Sequence, residues 1–271
     1  MYLTLIAIIS LGSVGIVLAV ILYAASQKFK VYENPLIDDV EKVLPGANCG
    51  ACGYPGCRNF AETCVNSVDM DKLKCPVGGN ETMSKVASIL GKQVIMTEPT
   101  LAVLRCNGSC EYRPITGKYD GASSCTIASL TSGGDTACTY GCLGLADCVV
   151  VCEFDALKMN ILTGLPEVDE DKCTSCGACV KACPKNLFEI RGKGNESKRI
   201  FVSCMNKNKG AIARKACSVA CIGCGKCEQI CEYDAIIVND DLAYIDHVKC
   251  VLCRKCVEVC PTKSIIEVNF I

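Results

Sequence analysis

The chain is 271 residues long and contains 26 cysteines but only one histidine. Its formal net charge of −1 gives no indication of a nucleic-acid partner. The sequence has no Walker loop, no glycine-rich dinucleotide motif after a strand and no Ser/His/Asp signature. The chain therefore lacks the parts for nicotinamide or flavin chemistry of its own, and its cysteines carry the functional interpretation.

The N-terminal segment is uncharged and mostly apolar from Leu3 to Ala24. About 20 such residues cross the hydrocarbon core of a bilayer, so this segment predicts a single transmembrane helix over residues 1–24. A cleaved signal peptide is the competing interpretation, but no Lys or Arg precedes the apolar run. Lys28 and Lys30 follow it, and the positive-inside rule then predicts a single-pass protein of the cell (inner) membrane with its remaining domains on the cytoplasmic side.

The predicted fold class is α+β, with a single N-terminal transmembrane helix, a small [4Fe–4S] domain and then tandem two-cluster ferredoxin-like domains. The segments predicted after the helix are a tether (25–36), the N-terminal [4Fe–4S] domain (37–80), a linker helix (81–104), a first ferredoxin-like domain (105–195) and a second one (196–271).

The N-terminal domain carries a compact cysteine motif. Its predicted cluster ligands are Cys49, Cys52, Cys57 and Cys75. Glycines between them allow the backbone to fold tightly around a bulky cluster. Cys64 lies seven residues after Cys57, does not fit the motif and is predicted to be a buried thiol.

Three runs further along the chain have the spacing of iron–sulfur proteins. They are Cys173-x2-Cys176-x2-Cys179-x3-Cys183-Pro184, Cys250-x2-Cys253-x2-Cys256-x3-Cys260-Pro261 and, without the proline, Cys221-x2-Cys224-x2-Cys227-x3-Cys231. In this pattern three closely spaced thiolates hold one [4Fe–4S] cluster and the fourth reaches across to a second. Zinc sites usually pair two CxxC units across a gap, so a non-redox zinc protein is the weaker alternative. Thiolate ligands also require a reducing compartment, in agreement with the cytoplasmic side.

The cysteine spacing repeats along the chain. Cys125-x12-Cys138-x3-Cys142-x5-Cys148-x3-Cys152 matches Cys204-x12-Cys217-x3-Cys221-x5-Cys227-x3-Cys231. This self-similarity predicts the duplication of a two-cluster module.

The crossover rule assigns two clusters to each copy. The second copy is predicted to use Cys221, Cys224, Cys227 and Cys260 for one cluster, and Cys231, Cys250, Cys253 and Cys256 for the other. The first copy is predicted to use Cys152, Cys173, Cys176 and Cys179 for one cluster. For its other cluster Leu145 replaces the equivalent of Cys224, and proximity in the sequence predicts Cys138, Cys142, Cys148 and Cys183.

These assignments give at least five [4Fe–4S] clusters and leave six cysteines over. Cys106, Cys110 and Cys125 are candidates for three ligands of a sixth cluster, with Cys204 or Cys217 as the fourth. The alternative is that these are free buried thiols.

The N-terminal motif, GANCGACGYPGC and CPVGG, followed by tandem ferredoxin modules, resembles the B subunit of the Rnf electron-transport complexes. The resemblance covers essentially the whole chain. It implies an electron-transfer subunit of an ion-translocating ferredoxin:NAD oxidoreductase, with soluble ferredoxin and other membrane and peripheral subunits as partners. A cluster-bearing subunit of another membrane enzyme, such as a hydrogenase or anaerobic reductase, is the alternative.

Overall fold

The computed structural model describes residues 2–28 and 34–270, and residues 29–33 of the predicted tether lie outside this description. The first element is helix α1 (Tyr2–Lys28). A helix needs about 20 consecutive apolar residues to cross a bilayer. Among the described residues, no helix combines the length and the apolarity that a crossing requires. The transmembrane helix predicted over residues 1–24 is therefore wrong, and the fold class is corrected to a small mixed fold of helices and strands.

The next part of the chain is a three-helix domain. Its helices are α2 (Pro35–Val43), α3 (Cys57–Asn66) and α4 (Gly79–Leu90). Asn34 caps α2, because its side-chain oxygen accepts a hydrogen bond from the backbone N–H of Leu36 at 3.0 Å. The three helices enclose one core, and its fully buried residues include Val40, Phe60, Cys64, Met70 and Val86.

Helix α4 does not continue through the segment predicted as a linker helix. It ends at Leu90, and Gly91 follows in the left-handed conformation (φ 61°) that closes many helices. The end of the segment is instead strand β1 (Thr100–Leu104), which pairs with a strand of the first ferredoxin-like module.

The first module contains two antiparallel strand pairs. Strand β1 pairs with β4 (Phe188–Gly192), with Leu104 opposite Phe188, and β2 (Leu157–Asn160) pairs with β3 (Leu165–Val168). Its helices are short: α5 (Cys125–Thr131), α6 (Asp147–Val150) and α7 (Ala178–Ala182).

The second module repeats this plan after a 3₁₀ turn at Asn195–Ser197. Strand β5 (Arg199–Val202) pairs with β8 (Ile265–Val268), and β6 (Ile236–Asn239) pairs with β7 (Leu242–Ile245). Its helices are α8 (Gly210–Ala216), α9 (Lys226–Gln229) and α10 (Lys255–Val259). The two modules therefore share one topology, as expected for an internal duplication.

A left-handed residue precedes each short helix of the cysteine runs. These residues are Ala146, Gly177, Gly225 and Arg254, with φ between 66° and 76°. Glycine adopts this conformation without steric cost, whereas other L-residues pay about 1 kcal/mol or more. Each turn is followed two residues later by a cysteine in the first turn of a helix, which fixes where that thiol lies.

The two modules pack sheet against sheet. Leu101 and Val103 of β1 contact Phe201 of β5 in one apolar cluster. Beside it, the guanidinium of Arg191 is buried over the ring of Tyr244, 5.2 Å from its centroid, and donates to the carbonyl oxygen of Ile245. The modules are thus held together by both apolar and polar contacts.

Candidate iron–sulfur cluster sites

The N-terminal domain brings its four predicted ligand cysteines together. Cys57 begins α3, and the thiol of Cys75 accepts a hydrogen bond from the backbone N–H of Gly78 at 3.3 Å. The pKa of Cys75 is raised, first by burial and then by the nearby thiols of Cys52, Cys57 and Cys49. Mutual repulsion of this kind disappears when thiolates bind a positively charged iron core.

Two residues of this domain have roles that the cysteine spacing did not indicate. Asn48 accepts a hydrogen bond from the backbone N–H of Cys57 at 2.8 Å and donates to the carbonyl of Gly46, so it holds the ligand loop against α3. Lys92 donates to the carbonyls of Cys64 and Val65 at the end of α3. Cys64 itself is fully buried, and burial raises its pKa to about 11.

In the second module two cavities are each lined by four cysteines. The first set is Cys221, Cys224, Cys227 and Cys260, and the second is Cys231, Cys250, Cys253 and Cys256. These are the sets that the crossover rule predicts. Burial, followed by the neighbouring thiols, raises the pKa of Cys227 to about 11 and that of Cys256 to about 12.

The first module also assembles one predicted set. Burial raises the pKa of Cys179 to about 12, and the thiols of Cys173, Cys176 and Cys152 contribute to the increase. The backbone N–H of Ala102 donates to the sulfur of Cys173 at 3.5 Å, which links this set to strand β1.

The other set of the first module differs from the prediction. One cavity is lined by Cys142, Cys148 and Cys183 together with Cys125. Cys138 does not line it. The pKa of Cys148 is raised to about 12, by burial and then by Cys142, Cys125 and Cys183. Cys125 thus occupies the place for which proximity in the sequence suggested Cys138.

Cys138 instead lines a separate cavity where the two modules meet. This cavity is also lined by three of the six cysteines that the five predicted clusters left unassigned: Cys106, Cys204 and Cys217. Cys110 lines none of these cavities and is exposed.

The thiols of these sets fit iron–sulfur clusters in their number, burial and hydrogen bonds. All 26 cysteines are free, and backbone N–H groups point at several of their sulfurs: Leu187 at Cys183 (3.4 Å) and Ala243 at Cys221 (3.5 Å). Hydrogen bonds to cluster sulfurs are one of the means by which proteins set reduction potentials. Among the described residues, no group of three or more His, Cys, Asp or Glu side chains is arranged to hold a single metal ion.

Two ferredoxin-like modules with crossed sets of four cysteines, behind a third four-cysteine domain, define a multi-cluster iron–sulfur electron-transfer protein. Three family matches agree with this class. Residues 44–77 match the family described as "Putative Fe-S cluster", residues 166–189 match "4Fe-4S binding domain" and residues 220–264 match "4Fe-4S dicluster domain".

Curated relatives extend the similarity over most of the chain. The B subunit of the Na(+)-translocating ferredoxin:NAD(+) oxidoreductase complex of Acetobacterium woodii is 42% identical over 240 residues, which is 88% of this chain and 70% of the relative. The B subunit of the ion-translocating oxidoreductase complex of Methanosarcina acetivorans is 40% identical over 255 residues, 94% of this chain and 95% of the relative. The B subunit of the proton-translocating ferredoxin:NAD(+) oxidoreductase complex of Clostridium ljungdahlii is 39% identical over 233 residues, 86% of this chain and 81% of the relative.

The chain belongs to the family of B subunits of the Rnf-type, ion-translocating oxidoreductase complexes. It is an iron–sulfur electron-transfer subunit of such an enzyme complex, and the predicted family, function and [4Fe–4S] type of cofactor are confirmed.

Proposed function

We propose that this subunit passes electrons from reduced ferredoxin through five [4Fe–4S] clusters held by the sets described above, with Cys125 in place of Cys138. The observation that carries the proposal is that three cavities of the two modules are each lined by four thiols. When bound, a cluster supplies a one-electron redox couple. The thiols hold it, the buried apolar residues around them exclude water, and the backbone N–H groups stabilise the negative charge on sulfur.

The crossed ligands keep the two clusters of each module close together. Cys148 lies in helix α6 and Cys152 follows two residues after that helix ends, whereas Cys179 lies in α7 and Cys183 directly follows its last residue. Each short helix and the residues just after it therefore contribute to both sets of the module. Electron transfer between the two clusters then needs no movement of the protein.

The second module is the proposed entry point for electrons. Cys224 and Cys253, one from each of its sets, are exposed, whereas the ligand thiols of the first module are buried or partly buried. Of the two ferredoxin-like modules, the second is therefore the one whose clusters a donor protein can approach more closely. The relatives from Acetobacterium woodii and Clostridium ljungdahlii are named as ferredoxin:NAD(+) oxidoreductase subunits, which supports ferredoxin as the donor. Other subunits of the complex are the proposed acceptors.

The proposed location follows from the chemistry of the complex. A complex that translocates ions acts at a membrane, so we place this subunit there through its partner subunits. Its free thiols require a reducing compartment, which is the cytoplasmic side.

The ligand assignment is tested by measuring iron in single and double variants of the full chain, reconstituted anaerobically. Two ligands of one cluster share the same iron, so combining Cys125→Ala with Cys183→Ala should remove no more iron than either change alone, about four atoms per chain. Cys110→Ala is the matched control and should remove none. If Cys125→Ala kept all iron while Cys138→Ala and Cys183→Ala were non-additive, the assignment of Cys125 would be overturned.

The entry point is tested with charge-reversal variants in the assembled complex. Lys226 is exposed two residues after Cys224, and Lys158 is exposed in the first module. Lys226→Glu should slow the oxidation of an acidic ferredoxin several-fold at low ionic strength, and the difference should fade as salt screens the charge. Lys158→Glu should have little effect. Equal slowing by both variants would contradict entry at the second module.

A further inference from the structure

The junction of the two modules contains a cavity lined by four cysteines that belong to none of the five proposed sets. They are Cys106 and Cys138 from the first module and Cys204 and Cys217 from the second. Three other cavities of the two modules are likewise each lined by four cysteines. A site with the same number and type of donors suits the same kind of occupant.

The four thiols face one another in pairs across the module boundary. A Cβ atom on Gly108 would lie 3.2 Å from the sulfur of Cys217 and 3.7 Å from that of Cys106, so these two sulfurs share one side of the cavity. Asn206 joins the other two. Its backbone N–H donates to the sulfur of Cys204 at 3.4 Å, and its side-chain amide lies 3.6 Å from the sulfur of Cys138.

The site has an approximate internal symmetry that follows from the duplication. Cys106 stands two residues after β1, and Cys204 stands two residues after β5. In its place in the fold Cys204 therefore corresponds to Cys106, although the cysteine spacing aligned it with Cys125. Cys138 and Cys217 occupy equivalent places in the repeated cysteine spacing. The backbone N–H of Asn107 donates to the carbonyl of Ser203 at 3.0 Å, which joins the two strand-end loops. Each module thus contributes one strand-end thiol and one loop thiol.

A buried cation, Arg113, also lines this cavity. It is 6% exposed and donates to the carbonyl of Cys142, and its Nε has no hydrogen-bond partner among the described residues. It forms no salt bridge with a carboxylate in the part of the chain that the structure describes. An unpaired charge in such a place is unfavourable unless an anion compensates it. A [4Fe–4S] core with four thiolates carries a net charge of about −2 and meets this need.

We propose that Cys106, Cys138, Cys204 and Cys217 bind a sixth [4Fe–4S] cluster that joins the two ferredoxin-like modules, a proposal that rests on the proposed function. The site directly adjoins one cluster set of each module, because Cys106 packs against Cys142 and Cys204 packs in one buried cluster with Cys221. Electrons cross the module boundary here one at a time: one cluster is oxidised by one electron, its neighbour is reduced by one, and no bond forms or breaks.

The test is iron, sulfide and zinc content of the full chain, reconstituted anaerobically, together with its EPR spectrum after reduction. The wild-type chain should contain about 24 iron atoms. Cys138→Ala, Cys217→Ala and the double variant should each contain about four fewer, since the two residues share one cluster. Cys110 is an exposed thiol outside the cavity, and the Cys110→Ala variant should retain all of the iron atoms.

The possible failures are distinguishable. A wild-type content of about 20 iron atoms that Cys138→Ala and Cys217→Ala leave unchanged would overturn the sixth site and preserve the proposed function. One zinc per wild-type chain that disappears in Cys217→Ala would overturn the cluster as the occupant. Little iron in the wild type would overturn the proposed function itself. If Cys138→Ala did not fold, Cys138→Ser would be measured instead. In that variant an unchanged EPR spectrum and unchanged iron content would count against the proposal.

Discussion

The carboxylate of Asp147 accepts a hydrogen bond from the backbone N–H of Thr126 at 3.1 Å, although the two residues lie 21 positions apart. It also accepts one from the hydroxyl of Ser124 at 3.1 Å. Burial opposes ionisation of Asp147, but the hydrogen bonds from Cys125, Thr126 and Ser124 outweigh it and hold its pKa below the usual range. Asp147 therefore ties the start of α5, where Cys125 stands, to the start of α6, where Cys148 stands.

Replacing this carboxylate should loosen the Cys125 ligand. Asp147→Ala removes the acceptor for three donors at the start of α5, a change comparable to the loss of a helix cap, which typically costs about 1 kcal/mol. We expect a lower free energy of unfolding of about that size and a faster loss of about four iron atoms per chain in air. Glu153→Ala, which removes an exposed carboxylate nearby, is the control. Identical iron-loss kinetics in both variants would contradict a positioning role for Asp147.

The two cysteines outside all six sets should differ sharply in reactivity. Cys110 is exposed, whereas Cys64 is fully buried with its pKa raised to about 11 by burial. Only the thiolate is alkylated, so at a pH of about 8 Cys64 is both inaccessible and protonated. Iodoacetamide should therefore label one thiol per fully loaded chain under anaerobic conditions, as mass spectrometry would show. Cys110→Ser should abolish the label and Cys64→Ala should leave it. Labelling of Cys106 or Cys217 would mean that these thiols are not bound to a cluster.

The sequence was sufficient to predict those sets of ligand cysteines whose members are brought together by their spacing along the chain. Cys221, Cys224 and Cys227 lie three residues apart, and the left-handed turn at Gly225 largely fixes where their thiols point. The crossing ligand Cys260 follows from the same local geometry in the next run. The function and the family could likewise be predicted from the sequence, because closely spaced cysteine runs of this kind rarely serve a purpose other than binding iron–sulfur clusters.

The choice between Cys125 and Cys138 depends on more than the sequence spacing. Leu145 stands at the position equivalent to the ligand Cys224, so the sequence showed that one ligand was missing from this set. Both Cys125 and Cys138 precede Leu145 and are close enough along the chain to replace that ligand. What decides between them is the fold of the intervening segment. Ile115 pairs with Thr136 in an isolated bridge, and Asp147 holds the start of α5. These are tertiary contacts between residues far apart in the chain. The transmembrane prediction rested on the length of the uncharged apolar run and on the lysines after it, and no helix among the described residues meets the requirement for a crossing.

Arg191 should contribute to the docking of the two modules. Its guanidinium is 2% exposed, pairs with Glu189 at 3.2 Å and donates to the carbonyl of Ile245 in the other module. Removing the guanidinium leaves the buried carbonyl of Ile245 without this donor and takes away one of the two cations beside Glu189, the other being Arg105 at 3.4 Å. We expect Arg191→Met to lower the free energy of unfolding by a few kcal/mol in anaerobic denaturant titrations.

The control for Arg191 is a surface cation of the same module. Lys181 is exposed, and Lys181→Met should change the free energy of unfolding by about 0.5 kcal/mol or less. A double variant, Arg191→Met with Glu189→Leu, should be less stable still, because Glu189 also pairs with the buried Arg105 at 3.4 Å and that cation would then lose its carboxylate. Equal stability of the wild type and Arg191→Met would show that the modules do not depend on this contact.

Arg113 should set the reduction potentials at the module junction. It acts on the thiols of Cys106, Cys142 and Cys217, which belong to the proposed sixth set and to its neighbour in the first module. A reduced cluster carries one more negative charge than an oxidised one, so a nearby cation favours reduction. Arg113→Gln should therefore lower the potentials of these two clusters, by on the order of 50 mV for a partly screened charge. The set of Cys231 and Cys250, at the other end of the second module, should be unaffected.

Arg113→Lys separates charge from packing, because it retains a cation on a flexible chain. We expect it to restore most of the potential in EPR-monitored redox titrations, even if the loss of the bond to the carbonyl of Cys142 makes the protein less stable. If Arg113→Gln and Arg113→Lys lowered the potentials equally, the effect would come from altered packing. If every cluster shifted by the same amount, Arg113 would act on the whole protein. Only a shift confined to the two junction clusters and reversed by lysine agrees with a buried charge placed between the modules.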